Sequence, residues 1–229
     1  MSQESNAPVA QAVPAGGKLS KTDKTRFCVA FFVFSFCWML ALQVVAAVLL
    51  PQRLSIIAPD SKDAIFGVLN SATALASLIS NLVVGNMSDR TRSRLGRRTP
   101  WIASGGLLAG VTLFLIGFLP DGVSIGVSYC LAMVGLNMMI APVIASLSDR
   151  VPESMRGTMS AFISAGTLFG SALGQIAGAQ FISMMMPGFI VSGVVMALSG
   201  ILTVIFWPRE ASSKDLPKEK KIGRASCRE

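Results

Sequence analysis

Six stretches of this chain run for about twenty residues without a single Asp, Glu, Lys or Arg: 27–50, 64–84, 101–119, 123–146, 158–181 and 187–206. Each is long enough to cross the roughly 30 Å of a bilayer's hydrocarbon as a helix rising 1.5 Å per residue. Hydrocarbon cannot satisfy free amides and carbonyls, and these runs are about twice the length of a barrel strand, so the pattern predicts membrane helices. The expected fold class is all-α, a polytopic bundle of six transmembrane helices. Pro142, inside the fourth run, removes a donor from the carbonyl of Met138 and is expected to bend that helix.

The polar intervals alternate in charge. Lys and Arg number four before the first run, five between the second and third, two between the fourth and fifth, and seven after the sixth. The other three intervals hold two, Arg53 and Lys62. This 18-to-2 split places both termini, and the 89–98 and 148–157 loops, in the cytoplasm by the positive-inside rule. The expected location is a plasma or inner membrane.

Composition agrees: 52% of residues are hydrophobic and 14% charged. The net charge of +8 has a sufficient cause in loop topology, and no basic face interleaved with aromatics points to nucleic acid. The lipid bilayer is the partner that composition implies. Cys28, Cys37 and Cys130 lie inside apolar runs and Cys227 in the tail, which gives neither a disulfide framework nor metal-ligand spacing. No His, Cys-x-x-Cys, pair of membrane carboxylates or phosphate-binding loop is present, so catalysis, a metal and a cofactor are not expected.

Residues 1–26, rich in Ala, Ser, Gly, Gln and Pro, are expected to form a disordered cytoplasmic arm. The first apolar run is too long for a cleaved leader and reads as an uncleaved first helix. Residues 208–221 read as a cytoplasmic segment following the bundle. The final Ile222-Gly223-Arg224-Ala225-Ser226-Cys227-Arg228-Glu229 looks like a translated sequencing adapter, an addition foreign to the fold.

The second polar interval carries the sharpest motif: Gly85-x-x-x-Asp89-Arg90-x-x-x-Arg94-x-Gly96-Arg97-Arg98. It resembles the loop between the second and third helices of the major facilitator superfamily, the position it occupies here. The resemblance implies the N-terminal half of a twelve-helix transporter whose two six-helix halves rock about a central site, with this loop as a cytoplasmic latch. Asp89 would then face a helix N-terminus, Arg90 and Arg98 would hold the latch, and Gly85 would admit a close helix. The longer wording from Ser88 to Ile102 is similar to that of sucrose-type carriers and the glycoside, pentoside and hexuronide cation symporters, implying a small polar solute such as a sugar. Those carriers couple cations through acidic residues within the membrane, and no span here contains one.

Asp149, Arg156 and Gly157, in Ser148-Asp149-Arg150-Val151-Pro152-Glu153-Ser154-Met155-Arg156-Gly157, also resemble the superfamily's loop between helices four and five. They are expected to join Asp89 in a gate on the same face; the competing reading is a solvated helix cap. In the fifth run, Gly166, Gly170, Gly174 and Gly178 form one side-chain-free helix face. That face suits packing inside the bundle or against the second half, and the family architecture favours the second half.

Amides and a phenol set in apolar runs, Gln43, Asn70, Tyr129, Asn137 and Gln175, are the candidate solute contacts. Each could equally make a hydrogen bond between helices. Two other functions remain open from sequence: a six-span scaffold that binds a partner through the glycine face, or a carrier of the same superfamily for a drug or organic anion.

Overall fold

The computed structural model describes residues 21–91, 93 and 97–206, apart from the side chains of Lys21 and Asp89. Its helices are α1 (Lys21–Gln43), a π-helical segment (Val44–Leu49), α2 (Leu50–Ile57), α3 (Lys62–Arg90), α4 (Thr99–Ile116), α5 (Gly122–Arg150), α6 (Glu153–Gln180) and α7 (Met185–Phe206). They make six helices long and apolar enough to cross a membrane, with no strand among the described residues.

The first span departs most from the apolar pattern. It starts at Lys21, so the last six residues of the expected arm are helical, and it continues to Ile57, beyond the end of the apolar run. Pro51 does not stop it because the backbone changes register. The Leu50 N–H donates to the Val45 carbonyl five residues back, and Pro51 falls in the first turn of α2, where the change of register accommodates its missing N–H. Arg53, expected in a loop, is therefore helical. Its Nη2 donates to the Leu119 carbonyl at 3.1 Å, tying α2 to the end of the third span. The fourth span, α5, continues through Pro142.

At the start of α5, Asp121 caps the helix: Oδ2 accepts from the Ser124 N–H at 2.8 Å and Oδ1 from the Ser124 hydroxyl at 2.9 Å. These bonds hold its carboxyl below the usual value of 3.8. A depressed pKa means the cap contributes above the carboxylate range and weakens as pH falls through it.

The helix pairings show an internal symmetry. The packed pairs are α1 with α6, α3 with α5, α4 with α5, α1 with α7, and α4 with α7. Exchanging α1 for α5, α3 for α6 and α4 for α7 returns the same set of pairs. Because α1 and α5 enter from opposite ends, the two triplets form an inverted repeat. The core is built from Phe31, Leu49, Leu50, Leu54, Leu113, Ile116, Ile125, Met139, Met159, Phe189 and Met196, all fully buried.

Glycine sets how closely these pairs approach. A Cβ at Gly105 would lie 2.6 Å from the Gly135 carbonyl oxygen across the α4–α5 crossing. One at Gly110 would lie 2.5 Å from the Gly193 oxygen across the α4–α7 crossing. Backbone thus meets backbone, the route by which membrane helices gain dispersion contact when burial itself gives no hydrophobic drive.

The same geometry corrects the expected partner of the fifth span. Gly166, Gly170 and Gly174 face the carbonyls of Phe32, Phe36 and Leu40 on α1, at 2.5–2.6 Å from an ideal Cβ, and Gly178 faces Val44 and Val48. The glycine face is consumed inside the bundle, because α1 presents a complementary run of backbone one turn at a time. The faces left open are others. In α3 and α6 only 22% of the most apolar window is buried, against 39–50% in the remaining spans.

Candidate functional site

Two loops meet at one end of the bundle. Arg98, at the N-cap of α4, is 5% exposed. Its Nη2 lies 2.7 Å from Asp149 Oδ2 in the last turn of α5, and Nη1 donates to Ser146 Oγ at 3.3 Å. The Asp149 side chain is half-exposed, which keeps one side of the pair hydrated and limits the desolvation cost. Trp101 Nε1 donates to Thr91 Oγ1 at 2.8 Å, joining the two ends of the α3–α4 loop.

The α5–α6 turn is held separately. Arg156 donates from Nη2 to the Ser148 carbonyl at 2.7 Å and from Nε to the Val151 carbonyl at 3.1 Å. It thus satisfies acceptors at the C-terminal end of α5, where a cation also meets the negative end of the helix dipole. Its Nη1 lies 3.6 Å from Glu153. Asp149 and Arg156 therefore serve different partners within the cluster. Arg150 stacks over Phe27 at 5.3 Å, bringing the start of α1 to the same end.

The remaining loop residues divide. Arg90 is exposed and Arg97 half-buried. Gly85 has no described atom within 4 Å of an added Cβ, so the close helix expected there is not among these six; Gly157 is equally open. Arg94, Gly96 and the side chain of Asp89 lie outside the described residues, as do 1–20 and 207–229.

Mid-span amides form a second group of contacts. Asn81 Nδ2 on α3 donates to Asn137 Oδ1 on α5 at 2.7 Å, and Asn137 Nδ2 donates to the Met133 carbonyl at 2.7 Å. On the other pair, Gln43 Nε2 on α1 donates to Ser171 Oγ on α6 at 2.7 Å, and Gln175 reaches the same hydroxyl at 3.4 Å. The α3–α5 and α1–α6 pairs are exchanged by the inverted repeat, so the two polar bridges join one triplet to the other at equivalent crossings. Asn81 and Gln175 remain exposed beside them. Asn70 is exposed and donates to the Phe66 carbonyl of its own helix at 3.0 Å, while Tyr129 is packed into the core at 6% exposure.

Sequence reasoning passed over Asn81 and Ser171 as bridge partners. The available signal was the repeat itself, which pairs a polar residue near the middle of α3 with one near the middle of α6. Replacing Asn137 by leucine strands the Asn81 amide and is expected to cost about 1 kcal/mol, the range of interhelical bonds in membranes. Unfolding titrations in mixed micelles check this.

Six membrane-length helices in two inverted triplets, joined by a charge pair at one end and amide bridges within, make a polytopic membrane bundle with an internal repeat. A family model for the Major Facilitator Superfamily matches residues 26–229, and the chain belongs to that superfamily. Its fold class places it among transporters, not enzymes. Among the described residues, no group of three or more His, Cys, Asp or Glu could hold a metal ion.

Proposed function

We propose that this chain is the N-terminal half of a secondary carrier that moves a small, uncharged polar solute, a sugar or polyol, by alternating access. One observation supports it most: each bridge has an exposed amide at it, Asn81 as the α3 partner of one and Gln175, bonded to Ser171 on its own helix, beside the other. An exposed amide at membrane depth is costly against lipid and stable against water or a polar ligand. The open faces of α3 and α6 therefore border an aqueous cavity closed on its far side by a second six-helix half. Gln43, Asn70, Asn137 and Gln175 supply donors and acceptors without charge, which suits hydroxyl-rich solutes. Tyr129 shapes the wall from within the core.

In this reading the Arg98–Asp149 end faces the cytoplasm, and Asp89, Arg90, Arg94 and Arg97 add to the latch between the halves. Exposed ion pairs contribute ~0–1 kcal/mol each, enough to bias two states of nearly equal energy.

Uptake into proteoliposomes tests the proposal, using the reading frame that encodes these residues together with six further spans. Neutral hexoses or polyols should accumulate and compete with one another. Gln175→Leu should lower uptake about tenfold, the effect of one lost hydrogen bond in the transported state. Accumulation of organic anions with no competition by sugars would overturn the solute class.

A further inference from the structure

We propose that α2 is an outer gate: an eight-residue segment that swings on the π-helical segment and is latched shut by Arg53. The inference rests on the carrier reading for its purpose, since it places a movable piece at the end of the bundle opposite the Arg98–Asp149 pair.

The hinge is visible in the backbone. A run of π-helix is rare, widens the turn and weakens its hydrogen bonds, and here it spans Val44–Leu49 in the middle of a membrane helix. Pro51 follows at once and brings no N–H, so the Ala47 carbonyl four residues back loses its α-helical donor. The neighbours are built to receive this segment. Gly178 of α6 faces Val44 and Val48, with Val48 Cγ2 at 2.9 Å from an added Cβ, and Gly188 of α7 faces Leu49 at 2.6 Å. The Val48 and Leu49 side chains rest on these glycines, so the segment turns on two small-residue contacts.

The moving piece and its latch follow from the contacts. Beyond the hinge, α2 packs mainly on the π-helical segment and α3. Leu50 and Leu54 are fully buried and form the seal. Arg53 Nη2 holds the Leu119 carbonyl at 3.1 Å, at the end of the α4 span. Its Nε is buried without a partner, so the closed position leaves one donor unsatisfied and is only moderately favoured. Room to move exists alongside: a cavity of about 330 Å³ separates α2 from the first turns of α3, lined by Gln52, Ser55, Lys62 and Asp63 among others. Its polar side, formed by Gln52, Ser55, Lys62 and Asp63, admits water behind α2 as it lifts.

The test is a labelling rate, which reads opening whether or not any solute is carried. With the native cysteines replaced by serine, Leu54→Cys reports the seal and Met139→Cys reports the buried centre of α5. A water-soluble maleimide is applied to the protein in membranes. Arg53→Gln should speed labelling at position 54 about tenfold while leaving position 139 unchanged. Arg53→Lys, which can still reach the carbonyl, should restore most of the slow rate. Pro51→Ala, which returns the missing donor, should slow labelling at 54. Equal rates at 54 in the Gln and parent proteins, or acceleration at both reporters, would overturn the gate. Failure of the uptake assay alone would count against the carrier reading and leave these rates as they are.

Discussion

Gly170→Leu should yield little folded protein, with a loss of about 3 kcal/mol or more. The site has no room to absorb the change. An ideal Cβ there already lies 2.5 Å from the Phe36 carbonyl oxygen and 3.2 Å from Leu40 N and Met39 Cβ. Two of these three atoms are backbone, so a side chain can be admitted only by moving α1 as a body. Moving α1 opens the crossings at Gly166 and Gly174 as well, because all three glycines read the same strip of α1 carbonyls. Overpacking in a soluble core costs about 1–3 kcal/mol where neighbours can turn aside, and here they cannot. Gly85→Ala and Gly157→Ala are the controls. Neither meets a described atom within 4 Å, so each should fall within about 0.5 kcal/mol of the parent or gain slightly from alanine's helix propensity. Denaturant titration in mixed micelles separates the two classes.

Asp149→Ala is the second large effect. It removes the 2.7 Å partner of a guanidinium that is 5% exposed. Breaking a fully buried pair costs about 3–5 kcal/mol and an exposed one ~0–1. A buried arginine facing a half-hydrated carboxylate lies between, at about 2 kcal/mol. Ser146 keeps its hydrogen bond to the guanidinium and limits the loss. The reciprocal change, Arg98→Met, leaves a carboxylate that water can reach and fills the buried space, so it should cost less. A double-mutant cycle should therefore return a coupling of about 1–2 kcal/mol between positions 98 and 149. The same cycle between 149 and 156 should return close to zero, because Arg156 is committed to the Ser148 and Val151 carbonyls.

Much of this architecture could be read before any coordinates. The six uncharged runs are six spans, since a bilayer's thickness leaves little freedom in length, and the loop motifs at 85–98 and 148–157 fall at one end as the alternation requires. What the sequence could not give was which surfaces meet. A glycine every fourth residue announces a flat face on α6 but not its partner, and the partner is α1. The pairs Gly105–Gly135 and Gly110–Gly193 join glycines distant in sequence, and only the crossing geometry reveals them. The π-helical segment was hidden for a different reason. Val-Val-Ala-Ala-Val-Leu has no local signature, and the apolar run stops at Leu50 although a change of register carries the helix past Pro51. Asn137 was legible as a costly polar group, while its bond to Asn81 depends on how α3 is rotated against α5.

Sidedness is the most direct test of the proposal, because a cytoplasmic latch has meaning only if the clustered arginines face inward. Arg97, half-buried beside Arg98, lies outside the Arg98–Asp149 pair and is the reporter position. In the protein with its native cysteines replaced by serine, Arg97→Cys should resist a membrane-impermeant maleimide in intact cells and react once the membrane is permeabilised. Reaction of position 97 in intact cells would place the charge pair outside and contradict the proposed latch.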